Sequence, residues 1–140
     1  WLDRGIKEFP IATGSNYFRA TKQGAVTMTG AITANGNITA FASDIRLKTA
    51  IQPIENAVAK VLKLNGFTYE LNELAETLGY ELDGERYAGV SAQDVKEVLP
   101  EAVKPAPASA DYMTVQYEKL VPLLIEAIKE LKAEIDELKK

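Results

Sequence analysis

The feature that most constrains this chain is the apolar periodicity of its last 24 residues. Tyr117, Val121, Leu124, Ile128, Leu131, Ile135 and Leu138 follow one another at spacings that alternate between four and three. Such a repeat marks a helix with one seam turned toward another helix. Val121, Ile128 and Ile135 take the a positions, and Leu124, Leu131 and Leu138 the d positions. Glu134 at g and Lys139 at the following e suit an ion pair between parallel helices. Pro122 comes early in the run, where it either falls in the first turn or kinks the start. Residues 117–140 are therefore expected to form a coiled-coil helix. Ile125 widens the stripe, so a single amphipathic helix packed on its own domain stays open as the alternative. β-branched a positions with Leu at d lean toward dimers, and the heptads alone do not say trimer.

The 140 residues are 46% hydrophobic, enough for one modest core and too few for two large ones. No run of about 18 uncharged apolar residues is present, so a membrane-spanning segment is not expected. The opening Trp1-Leu2-Asp3-Arg4-Gly5-Ile6 lacks the pattern of a signal peptide, and the missing initiator Met suggests a piece of something longer. With no Cys and no His, thiol nucleophiles, Ser-His-Asp triads and Cys- or His-ligated metal sites are excluded. No metal or cofactor is expected, and any hydrolytic chemistry must use Ser or Thr with Lys, or carboxylates. A net charge of −4 argues against an electrostatic nucleic-acid binder.

That charge is unevenly placed. Residues 1–42 carry Arg4, Lys7, Arg19 and Lys22 against Asp3 and Glu8, leaving 12 cations and 18 anions in the remainder. The pattern of residues changes at the same point. Residues 17–41 are rich in Thr, Ala, Gly and Asn, with Val26, Met28, Ile32 and Ile38 at even positions, as one face of an extended chain requires. Asn35-Gly36 between two Ile-Thr pairs is a hairpin signal. Strands so short bury too little to stand alone, so they fit an interwoven β stem continuing upstream. A disordered linker is the alternative.

Beyond Ser43 the reading is mixed. Pro53 falls near the first turn of a helix with Ile54, Val58, Val61 and Leu62 on one stripe, stopped by Asn65-Gly66. Phe67–Leu71 alternates as a strand, and residues 72–85 suggest a short helix (Leu74, Leu78) and a turn at Asp83-Gly84. Tyr87–Val90 reads as a strand, Ser91 as the cap of a helix running to Leu99, and Pro100 as its stop. Lys104–Ala110 reads as an exposed arm and Met113–Tyr117 as a last strand. The expected class is α+β: a short β-rich stem over residues 1–42, then a domain of small strands and helices over 43–140.

Ser43-Asp44-Ile45-Arg46-Leu47-Lys48 is the cluster with catalytic potential. Without His, a lysine amine is the obvious base for a serine hydroxyl. It must be neutral to accept a proton, which takes burial or a nearby cation such as Arg46. A spacing of five puts the two side chains on opposite faces of a strand and well apart on a helix. A bend between them, or a contact between subunits, is required.

The order of motifs adds to this. The stretch Gly36-Asn37-Ile38-Thr39-Ala40-Phe41-Ala42-Ser43-Asp44-Ile45-Arg46-Leu47-Lys48-Thr49-Ala50-Ile51, followed by the Ile54–Val61 stripe, resembles the intramolecular chaperone domain of phage endosialidases. The same domain ends other phage tail fibres and neck appendages and occurs in the myelin regulatory factor family. Gly66–Tyr69, Tyr87–Val95, Leu99–Val103 and Tyr117–Leu124 match further motifs in the family's order, so the resemblance covers residues 38–140. It implies a homotrimer of identical chains that assists folding of the upstream stem of the same polypeptide and then cuts itself off. It maps the Ser-Lys dyad onto Ser43 and Lys48 and the scissile bond onto Ala42–Ser43, with Asp44 and Arg46 placing the turn or tuning Lys48. The chain would then be a single-turnover autoproteolytic serine endopeptidase of a tail fibre or tailspike. It would act in the host cytoplasm during phage assembly, with the stem kept in the virion and the chaperone released, and with no nucleic-acid or membrane partner. Two other readings stand beside it: a trimerisation cap that never cleaves, and a coiled-coil transcription factor fragment, which the missing basic region disfavours.

Overall fold

The computed structural model describes residues 32–40 and 42–140. The stem positions Val26 and Met28 lie outside the described residues. Residues 32–40 run without ladder pairing, and Asn35-Gly36 forms a bend in place of the expected hairpin. Ile32 and Ile38 are about three-quarters exposed (70% and 74%), so among the described residues this segment makes no apolar packing.

The remainder is a small α+β body. Helix α1 spans Ala57–Val61, strand β1 Gly66–Tyr69, helix α2 Glu73–Thr77, strand β2 Tyr87–Val90 and helix α3 Ala92–Val98. Strands β3 (Val103–Pro105) and β4 (Met113–Val115) precede helix α4, Leu120–Leu138. Short 3₁₀ turns occupy Ile45–Leu47, Pro100–Ala102 and Tyr117–Lys119. No helix among the described residues is long and apolar enough to cross a membrane.

The strands form two antiparallel ribbons. β1 pairs with β2, Gly66 opposite Val90 and Tyr69 opposite Tyr87. The two tyrosine rings meet across the ribbon with centroids 5.7 Å apart, a cross-strand aromatic pair. The Tyr87 hydroxyl donates to Asp83, whose carboxylate pushes the Tyr87 pKa up to about 12. At Gly89 a side chain is excluded by a close approach: an added Cβ would lie 2.5 Å from the Tyr117 hydroxyl, which accepts a hydrogen bond from the Val90 amide. β3 pairs with β4, Val103 opposite Val115. Lys104 and Pro105, expected in an exposed arm, are therefore the outer part of a ribbon, and Ala106 N–H continues it by donating to the Tyr112 carbonyl.

Local signals account for several boundaries. Asn72 caps α2 by accepting from the Ala75 amide, and Ser91 caps α3 by accepting from the Asp94 amide. Pro100 follows α3 and opens the next 3₁₀ turn. Pro122 lies in the first turn of α4, where its missing N–H leaves no bond unmade.

The helix expected from Pro53 begins later, at Ala57. Asn56 adopts a left-handed conformation (φ 54°, ψ 42°), and Pro53 falls in the irregular lead before it. The stripe shifts accordingly. Ile54, Val58, Val61 and Leu64 pack against buried Ala57, Leu123 and Ala127, while Leu62 points outward at 79% exposure. A five-residue helix is far too short to persist alone, so α1 exists by packing on α4. A second buried group, Val95, Val98 and Ala102, belongs to α3 and the turn that leads into β3.

Candidate functional site

The cluster Ser43–Lys48 folds as a turn built from its own polar groups. Asp44 is extended (φ −61°, ψ 129°), and its Oδ1 accepts the Arg46 amide at 2.9 Å, fixing the start of the 3₁₀ turn Ile45–Leu47. The Leu47 amide donates to the Asp44 carbonyl and the Lys48 amide to the Ile45 carbonyl, both at 3.1 Å. Beyond the turn the chain is extended again at Lys48 (φ −118°, ψ 146°). The result is a reversal that brings Lys48 Nζ to 3.0 Å from Ser43 Oγ within a single chain. The bend that a spacing of five demands is thus local.

Arg46 is held by Asp44. Its Nη2 donates to Oδ2 at 2.7 Å and its Nε to Oδ1 at 3.0 Å, a bidentate pair on the protein surface. The Arg46 guanidinium, helped by its backbone amide, holds the Asp44 carboxyl below the usual carboxylate range. The same carboxylate raises the Arg46 guanidinium. Both the guanidinium and the backbone amide of Arg46 thus bond the Asp44 carboxylate at the start of the turn.

Ala42, Ser43 and Lys48 are all exposed, as are Ile45, Leu47 and Ile51 at 59–73%. Chemically, the arrangement offers a hydroxyl next to an amine. With the amine protonated, Lys48 donates to Ser43 Oγ; once neutral, the amine can accept the hydroxyl proton instead. A groove of about 460 Å³ lies between Pro53–Ile54, Leu99–Pro100 and Pro122, and neither Ser43 nor Lys48 lines it.

The heptad residues are brought together on one face of α4, and none of them joins the core cluster found among the described residues. Val121, Leu124, Ile128, Leu131, Ile135 and Leu138 are between 45% and 87% exposed. The face that packs inward carries Leu123, Ala127 and Glu130. Glu130 was not signalled as a functional residue by the sequence, yet its two carboxylate oxygens accept the Ala57 and Val58 amides at 2.7 and 2.8 Å. The spacing of four and three from Leu123 through Ala127 to Glu130, parallel to the seam, is the signal that could have found it.

Comparison with known proteins places the segment from Ser43 among the intramolecular chaperone domains. Residues 43–104 match the model of the family described as chaperone of endosialidase, Peptidase_S74. The chain is 46% identical over 98 residues to the long tail fiber protein Gp37 of Enterobacteria phage K3 and, over the same length, to that of Enterobacteria phage T2. The match covers 69% of this chain but only 8% and 7% of those proteins. Gp37 of Enterobacteria phage M1 is 36% identical over 99 residues, which is 38% of its length. The chain therefore spans a small part of the fibre proteins it resembles.

Proposed function

We propose that this chain is part of a phage tail fibre or tailspike whose segment from Ser43 trimerises, assists folding of the upstream stem and releases itself at Ala42–Ser43. The observation that carries the reading is the 3.0 Å approach of Lys48 Nζ to Ser43 Oγ across a turn braced by Asp44 and Arg46. Ser43 Oγ attacks the Ala42 carbonyl carbon while Lys48 takes the hydroxyl proton. The Ala42–Ser43 C–N bond breaks, an ester forms between Ala42 and Ser43 Oγ, and Lys48 returns the proton to the leaving Ser43 amine. Water then hydrolyses the ester to a carboxylate at Ala42 and the free Ser43 hydroxyl. The substrate is the chain itself, so its effective concentration is high and no substrate pocket is needed.

Association gives this chemistry its timing. In one chain the dyad turn lies in solvent, where water competes for the Ser43 hydroxyl and the Lys48 amine. Exposed Ile45, Leu47 and Ile51 beside the dyad, together with the exposed seam of α4, are the surfaces that association of three identical chains would cover, desolvating the amine. A stem of interwoven strands makes mostly non-local contacts that form slowly, so chains held in register by their C-terminal helices gain a start. Cleavage after assembly, in the host cytoplasm, leaves the stem in the virion and makes the product kinetically trapped.

Denaturing electrophoresis with intact mass tests the reading. Wild type is expected to yield Trp1–Ala42 and Ser43–Lys140, and both Ser43→Ala and Lys48→Ala to stay whole. Wild type that remains intact after full trimer assembly would leave the non-cleaving cap as the function.

A further inference from the structure

The lead between the dyad turn and α1 is bracketed by two non-glycine residues with left-handed backbones, Ala50 (φ 50°) and Asn56 (φ 54°). Asn tolerates this region, but in alanine the Cβ crowds the following carbonyl oxygen, so Ala50 holds it only while the chain on both sides is fixed. On the upstream side stands the turn, closed by the Lys48 amide on the Ile45 carbonyl. On the downstream side Ile54 packs against the core, and α1 begins without help from its own cap residue, since the Asn56 side chain makes no capping bond. The Glu130 carboxylate of α4 does that work, binding both first amides of α1 from 72 and 73 residues away.

We propose that Glu130 is a positioning residue for the Ser43–Lys48 pair: by clamping the start of α1 to α4 it fixes the far end of the lead and so holds Ala50 and the dyad turn in their bent form. The inference deepens the cleavage reading above and rests on it for its catalytic consequence. Glu130 lies on the same helix as the heptad seam and on a different face. Association along the seam therefore orders the helix that holds the clamp without covering the clamp itself.

The test uses the full chain carrying Glu130→Gln, which keeps the volume and one acceptor oxygen, and Glu130→Ala. In a Ser43→Ala background, where no cleavage intervenes, amide hydrogen exchange is followed at Ala57, Val58 and Lys48. All three are expected to exchange about tenfold faster or more in the Glu130 variants, at unchanged oligomeric state, because local opening at the clamp reaches the turn. With Ser43 restored, fragment formation is expected to slow by a similar factor, less for Gln than for Ala. Faster exchange at Ala57 and Val58 with Lys48 unchanged would reduce Glu130 to a helix cap and overturn the inference, as would no change at any of the three. If wild type forms no fragments, the cleavage reading falls, and the exchange at Lys48 still decides whether the clamp reaches the turn.

Discussion

Helix α4 presents two apolar faces that differ in what covers them. The inward face is narrow: Leu123 has no exposed surface, Ala127 is 5% exposed, and Glu130 completes the row by binding the α1 amides. The outward face is broad, six residues long in heptad order, and each is at least 45% exposed. Periodicity in a sequence reports that a face exists and how regular it is. It does not report whether the cover comes from the same chain, and here the more regular stripe is the one left open.

The strongest way to break this contrast is to place charge in the open seam. Ile128→Asp together with Leu131→Asp is expected to abolish association of identical chains, because carboxylates at adjacent a and d layers face their own copies in apolar surroundings. Sedimentation should give a monomer whose circular dichroism keeps the helical signal, since neither residue supports the chain's own core. An oligomer that survives the pair would mean that the outward face is not the associating one.

The inward face answers to the opposite treatment. Leu123→Ala removes a fully buried side chain between α1 and α4 and is expected to cost about 2–5 kcal/mol, read by urea denaturation of the Ser43→Ala chain. Leu131→Ala at a concentration where the chain is monomeric should change little, and equal effects of the two would erase the distinction between the faces. Ala127→Leu sharpens it further. Ala127 is small because α1 lies directly on it, so the larger side chain is expected to cost about 1–3 kcal/mol by overpacking.

What the sequence showed follows the reach of each signal. β2, the Ser91 cap and the place of Pro122 depend on residues within a turn or two, and they stand where the pattern puts them. The start of α1 depends on Glu130, and the choice of Leu64 over Leu62 for the core depends on where α4 lies, so neither was visible locally. Lys104 and Pro105 were hidden because their strand partner follows a loop, and Pro and Ala composition reads as an arm. The bend between Ser43 and Lys48 was recoverable in principle: an Asp accepting the amide two residues on is an Asx turn, and Asp44-Ile45-Arg46 has that form. Neither helix nor strand spacing describes such a turn, which is why a spacing of five seemed to separate the pair.

The smallest effect separates the faces by their response to acid. The Val58 and Ala57 amides, with the Lys60 charge adding to them, hold the Glu130 carboxyl below the ordinary value. A carboxyl lowered on folding stabilises the folded form fully above its unfolded value of about 4.3, and that contribution is lost as pH falls through the lowered folded value. The seam positions are apolar and do not titrate, so mild acid should loosen the inward face first. Amide exchange at Ala57 and Val58, taken as a ratio to Glu130→Gln at each pH to remove the intrinsic pH dependence, should show wild type losing its advantage below that value. Sedimentation over the same range should hold the oligomer constant. If the ratio stays flat while association weakens, acid acts through the seam's flanking charges, and Glu130 contributes no more than a neutral amide would.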